Sequence, residues 1–115
     1  MKKLVQTELS WAAGFFDGEG CTNSGTGLSN GTPSRYITMS ATQSHPAVLF
    51  RFYHHIGMIG SVNGPYEKSA MGRYYWTTGG YENVQAVVAL LWKYLSRPKR
   101  EQAATMLLRF RNWKD

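Results

Sequence analysis

The stretch WAAGFFDGEGC, Trp11 to Cys21, decides how this chain is read. Leu9, Ala12, Ala13 and Phe16 recur at i, i+3, i+4 and i+7, which predicts a short helix over residues 6–16. Gln6 or Thr7 opens it, and Glu8 in the first turn suits the dipole. Gly18 and Gly20 are expected to end it. Gly14 lies inside, where glycine costs about 1 kcal/mol against alanine. Such a cost makes sense where another backbone comes close, because small residues let helices touch. One side of the helix then buries in its own core and the other against a second copy. Glu19 would then meet its twin near a two-fold axis, where carboxylates repel unless a divalent cation sits between or beside them.

The rest of the composition agrees with a folded, basic protein. A length of 115 residues suits one domain, 1–115. With 43% hydrophobic and 14% aromatic residues the chain can bury a core. A formal charge of +6 favours a polyanionic partner: DNA, RNA or an anionic membrane surface. Cys21 is the one cysteine, which excludes an internal disulfide and a thiolate zinc cluster. No apolar run approaches membrane-spanning length, and MKKLVQTELSW lacks a signal-peptide core. No membrane partner is expected. The expected location is intracellular: bacterial or phage cytoplasm, or an organelle.

Downstream, Thr22 to Pro33 is rich in Gly, Ser, Thr and Asn. It reads as a weak strand with a turn at NGTPS, or as a mobile loop. Arg35 to Gln43 alternates and predicts a strand, with Ile37, Met39 and Ala41 inward. Ser44 reads as the cap of a helix that begins at Pro46 and stops at Gly57. Strands are expected at residues 58–62 and 73–78, separated by a long turn. Gly79-Gly80 breaks the chain before a helix over 82–95, and Pro98 opens a last one. The predicted order is α-β-β-α-β-β-α-α.

AAGFFDGEG resembles the LAGLIDADG motif of the homing endonucleases named after it. Ala13, Gly14, Asp17 and Gly20 are identities. Phe15 and Phe16 keep apolar character, Gly18 stands for a small residue and Glu19 for the second acid. Ala12 replaces the usual leucine. The element order also resembles that family's fold over roughly residues 6 to 113. The resemblance implies an α+β, αββαββα fold: a four-stranded antiparallel saddle with helices on one face, plus a C-terminal helix. One motif in a short chain implies a homodimer on a long pseudo-palindromic site in double-stranded DNA. Trp11, Ala13, Gly14 and Asp17 are the implied interface residues.

The same resemblance implies the chemistry. Phosphodiester hydrolysis needs an activated water, stabilised transition-state charge and help for the leaving oxygen, which hard divalent cations supply. Glu19 stands at the position of the acid that binds Mg²⁺, with the carbonyl of Gly18 as a further ligand. Asp17 reads as a residue that fixes the turn or the dimer contact. Gln43 resembles the polar residue that orients water. Counting back from Gln102-Ala103, Lys99 falls at the active-site lysine, with Arg97 as its neighbour in a basic segment. His45, His54 and His55 lack zinc-site spacing. Cys21 reads as a small side chain near DNA.

A β-ribbon fits the major groove. Alternation turns Tyr36, Thr38 and Ser40 toward it, and likewise Arg73, Tyr75 and Thr77. Arg73 is the candidate guanine reader, joined by Ser61 and Asn63, with Arg35 and Asn23 beside them. Lys68 is expected on phosphate. A non-cleaving regulator and an intron-RNA maturase are the competing readings, because one fold carries several roles.

Overall fold

The computed structural model describes residues 4–66 and 72–112. Lys68, one of the expected phosphate contacts, lies outside them. The elements are α1 (Gln6–Glu19), β1 (Gly20–Ser29), β2 (Thr32–Gln43), α2 (Pro46–His55), β3 (Ser61–Tyr66), β4 (Arg73–Gly79), α3 (Tyr81–Leu91) and α4 (Arg97–Arg111). A 3₁₀ turn at Trp92–Tyr94 separates the last two helices. The strands form one antiparallel sheet in the order β1-β2-β4-β3. This is the α+β element order that the sequence predicts.

Alternation in the strands sorts the two faces. Ile37, Met39, Ala41 and Trp76 are fully buried on the inner face. They meet Ala12, Ala13 and Phe16 of α1, Leu49 and Phe52 of α2, and Val84, Val87 and Leu91 of α3 in one cluster. Trp76 is the largest member, and its indole N–H donates to the carbonyl of Ile59 at 2.9 Å. Its ring meets Phe52 edge-on, 4.7 Å between centroids. Trp76→Ala empties that volume and orphans the Ile59 carbonyl. The expected cost is about 3–5 kcal/mol, read as a lower urea midpoint with an unchanged slope.

Several boundaries differ from the sequence expectation. α1 continues through Gly18 to Glu19, past the predicted stop at Phe16. The Gly20 N–H closes the helix on the carbonyl of Phe16. Residues 20–29 are a full strand, resolving the choice between strand and loop. It pairs with β2 from Gly20↔Ala41 to Ser29↔Thr32. Asn30 and Gly31, at φ 52° and 80°, make the hairpin turn. Tyr36 lies across Gly25. A Cβ there would fall 2.8 Å from the Tyr36 hydroxyl.

α2 is not capped by Ser44. Its N-cap is His45, extended at φ −111° and ψ 109°, with Pro46 next. A residue before proline is pushed out of the helical region, which sets the boundary. β3 starts at Ser61, later than predicted, because Gly57, Met58 and Gly60 all take positive φ and occupy that segment with a turn. α3 stops at Leu91 and tightens into the 3₁₀ turn.

α1 and α2 are tied by a polar cluster beside the core. The Glu8 carboxylate lies 3.3 Å from His55 Nδ1. Arg51 Nε donates to His55 Nε2 at 3.3 Å, and the Arg51 guanidinium sits 3.9 Å over the Trp11 ring.

Candidate active site and nucleic-acid interface

The end of α1 is built by three polar ties to the start of α4. The Asp17 carboxylate accepts from the Ser96 N–H at 3.0 and 3.2 Å and from the Ser96 hydroxyl at 3.0 Å. Lys99 Nζ donates to the carbonyl of Gly20 at 2.5 Å. Gln102 Oε1 accepts from the Thr22 N–H at 3.1 Å. Ser96 is the N-cap residue of α4, so Asp17 meets that helix at its positive end. Lys99 and Gln102, one turn apart on α4, cover the outer edge of β1 where it begins. These bonds lock the last turn of α1, the first residues of β1 and the first turns of α4 into one unit.

Glu19 stands on that unit with a different environment. It is exposed, and no hydrogen bond or ion pair engages its carboxylate among the described residues. It lies at the negative end of α1, whose last turn carries no basic residue. A carboxylate is disfavoured there unless a cation comes near. Last-turn carbonyls have no intrahelical donor, and Gly18 is exposed without a side chain to cover its own. The donor set is all oxygen, which fits a hard divalent cation such as Mg²⁺ or Ca²⁺. Among the described residues no cluster of three His, Cys, Asp or Glu forms. Gly20 ends the motif as glycine for a packing reason: a Cβ would overlap the Phe16 ring at about 2.1 Å.

The register brings a second group to this end. Gly20 pairs with Ala41, so β2 ends, at Thr42 and Gln43, at the end of the sheet where β1 begins. Gln43 is half-buried opposite Tyr74, and as an odd position of β2 it shares the inward parity of Ile37, Met39 and Ala41. The ammonium of Lys99 is held one residue beyond Glu19. Arg97 points away into solvent, 88% exposed, and pairs with Glu101 at 2.8 Å.

The outer face of the sheet carries polar side chains in rows. Cys21 and Ser40 touch at 3.5 Å, and Asn23 donates to Cys21 at 3.3 Å. Thr38 faces Asn23 across the β1–β2 pair, and Tyr36 faces Gly25. Thr77 opposes Ser40 and Ser61, and Tyr75 opposes Thr42 and Asn63. Asn63 donates to Ser61 at 2.9 Å. Arg73, exposed, pairs with Tyr66 at the far end of β4. Tyr66 and Tyr75 meet edge-on at 5.0 Å.

Two of the expected residues lie elsewhere. Arg35 is not on this face. Odd positions of β2 turn inward, and its guanidinium donates to the Phe110 carbonyl at 3.0 Å and stacks 4.4 Å over the Phe110 ring. It packs on the end of α4 and leaves the base-reading set. Ala13 is fully buried against the chain's own core, so it is no surface residue. The exposed stripe of α1 is Thr7, Ser10, Gly14 and Gly18. Trp11 flanks it, half-buried under Arg51. A Cβ added at Gly14 or Gly18 would meet nothing within 4 Å in this chain. Asp17 is spent within the chain, on Ser96.

Sequence reasoning passed over Thr42, Tyr66 and Gln102. Thr42 follows from the alternation already used for Thr38 and Ser40. Tyr66 falls in the segment expected as a long turn between residues 62 and 73, and the partner of Gln102 is 80 residues away in sequence.

The chain has the fold of the LAGLIDADG homing endonucleases. The homing endonuclease I-CvuI, solved in complex with its target in the presence of Ca, is 24% identical, with a TM-score of 0.75 over 92% of this chain and 67% of that one. The group I intron-encoded homing endonuclease I-CeuI, complexed with DNA, is 16% identical, with a TM-score of 0.74 over 97% and 59%. The homing endonuclease I-TnaI is 20% identical, with a TM-score of 0.71 over 95% and 76%. No family sequence model matches the chain, and no curated protein matches it in sequence. No helix among the described residues is long and apolar enough to cross a membrane.

Proposed function

We propose that this chain is a site-specific double-strand DNA endonuclease that works as a homodimer. The observation that carries the reading is Glu19: an exposed carboxylate, with no hydrogen-bond or ion-pair partner among the described residues, at the end of a helix whose outer stripe is Ser10, Gly14 and Gly18. Two such helices, crossing at their glycines, bring two acids to one axis. Further ligands then come from the second copy, from water and from DNA phosphate. The neighbours solved on DNA support the substrate class.

Glu19 and the Gly18 carbonyl would hold the cation, which when bound supplies Lewis-acid activation of water and charge neutralisation at the phosphate. The chain's own residues do the rest. Lys99 places a positive charge beside the acid, where negative charge grows on the phosphoryl oxygens. Gln43, with both a donor and an acceptor, is suited to orient the attacking water. Asp17 and Gln102 keep α1, β1 and α4 in register, so that Lys99 and Glu19 stay together.

The outer sheet face reads bases. Tyr36, Thr38 and Ser40 of β2, Arg73, Tyr75 and Thr77 of β4, and Asn23, Ser61 and Asn63 on the flanking strands line it. Arg73 suits bidentate contact with guanine, worth about 1–3 kcal/mol of discrimination. Two-fold symmetry of the protein implies a pseudo-palindromic target.

The test is Mg²⁺-dependent cutting of a randomised duplex library, with sequencing of the ends. Discrete ends flanking a two-fold-related consensus are the expected result. Enriched binding without ends would make the chain a regulator on this fold. Binding to structured RNA alone would make it a splicing helper.

A further inference from the structure

We infer that Tyr66 and Tyr75 form an apolar slot on the outer face of the sheet, and that the slot takes the C5-methyl group of thymine in the target duplex. This inference rests on the DNA-binding part of the reading above and names one chemical feature that the face selects. The strand ladder carries it. β3 pairs with β4 as Ser61↔Thr77, Val62↔Trp76 and Asn63↔Tyr75, and then as Tyr66↔Arg73. Between the last two pairs β3 sets two residues, Gly64 and Pro65, against the single residue Tyr74. A bulge of this kind re-aims the side chain that follows it. Strict alternation from Asn63 would turn Tyr66 inward with Val62. The extra residue turns it outward instead, to the side of Arg73, Tyr75 and Thr77. Gly64 permits the bulge: its φ is 131°, and a Cβ there would fall 2.7 Å from the Arg73 carbonyl.

Tyr66 thereby meets Tyr75 edge-on, with ring centroids 5.0 Å apart and planes at 71°. The two rings make a corner of apolar surface, and both stay exposed, at 54% and 37%. Their neighbours on this face are polar: Thr77 and Ser61 on one side, Arg73 on the other. The base edges in a major groove present hydrogen-bond donors, acceptors and one apolar group, the thymine C5-methyl. Polar side chains serve the donors and acceptors. A methyl gains contact and loses water only against an apolar surface. Two rings meeting at an angle touch it from two sides, while their hydroxyls remain free to stay wet. Arg73 and Tyr75 are two residues apart on one strand, about 6.8 Å. That is roughly two base steps at ~3.4 Å each.

The experiment measures Kd in Ca²⁺ for the full chain on a duplex recovered by binding selection from a randomised library. One thymine in each half-site should be sensitive to replacement by deoxyuridine, which lacks only the methyl. The expected loss is about fourfold per half-site, the worth of one buried methyl. Arg73→Ala should relax the preference for a guanine within about two base pairs of that thymine. Tyr66→Ala should bind thymine and deoxyuridine equally and melt like the wild type, because the side chain it trims is exposed. Tyr66→Phe should keep the discrimination, since the rings and not the hydroxyls form the slot. Equal binding of thymine and deoxyuridine at every position by the wild type would overturn the slot. So would an undiminished difference in Tyr66→Ala. Both results leave DNA binding standing. Failure of the wild-type chain to bind any duplex would overturn the DNA reading itself, and the slot with it.

Discussion

Glu19→Gln should bind its target and fail to cut it. The substitution keeps the size and hydrogen-bonding shape of the side chain and removes its charge. Glu19 is exposed and makes no bond within the described residues, so the fold loses nothing. Removing a negative charge from the end of α1 also relieves an unfavourable dipole contact. Stability should therefore hold or rise slightly. Binding should hold or tighten, because one fewer carboxylate faces the phosphates. Cutting should fall by about a thousandfold, the upper end of what one preorganised transition-state group supplies. Single-turnover cleavage in Mg²⁺, set beside anisotropy binding in Ca²⁺, separates the two effects. Normal cutting by the variant would remove Glu19 from the metal centre.

Gly14→Leu should yield a well-folded monomer. The position is exposed, and an added Cβ would meet nothing within 4 Å in the protomer. Leucine in place of glycine inside α1 should stabilise that helix by about 1 kcal/mol. Against a second α1 the same side chain overpacks. Overpacking costs about 1–3 kcal/mol, and two copies on one axis double it. The dimer constant should then weaken by roughly 1.5 to 4 powers of ten. Sedimentation should show the loss of dimer while thermal melting shows no loss of fold. An unchanged dimer mass would move the interface away from α1. Opposite signs for protomer and dimer make this substitution more informative than a core change, which lowers both together.

Local pattern carried much of this molecule. The alternation in β2 and β4 already separates Ile37, Met39, Ala41 and Trp76 from Tyr36, Thr38, Ser40, Arg73 and Tyr75. Periodicity in α1 marks Ala12 and Phe16 as core. Both follow from fixed repeats, 2 in a strand and 3.6 in a helix, which need no distant partner. Boundaries were harder. Glycine at 18 reads as a stop, yet α1 runs through it to Glu19. Glycines at 25 and 27 weaken β1 on paper, yet β1 forms because β2 supplies the ladder and Tyr36 fills the space over Gly25. Propensity is a weak prior that pairing overrides.

By itself the sequence determined the element order, the two faces of the sheet and the place of the acidic glycine-flanked helix end. These are properties of neighbours along the chain. Only the tertiary structure decided how Asp17, Lys99 and Gln102 are used, because their partners Ser96, Gly20 and Thr22 lie 79 or 80 residues away. It also seated Arg35 on α4: alternation alone turns position 35 inward with Ile37, Met39 and Ala41, and the nearby Phe110 decides the contact. Ala13 and Gly14 are adjacent in sequence, yet packing buries one and leaves the other open. A 100° step around a helix separates core from surface, and which side is which depends on what the rest of the chain packs against it.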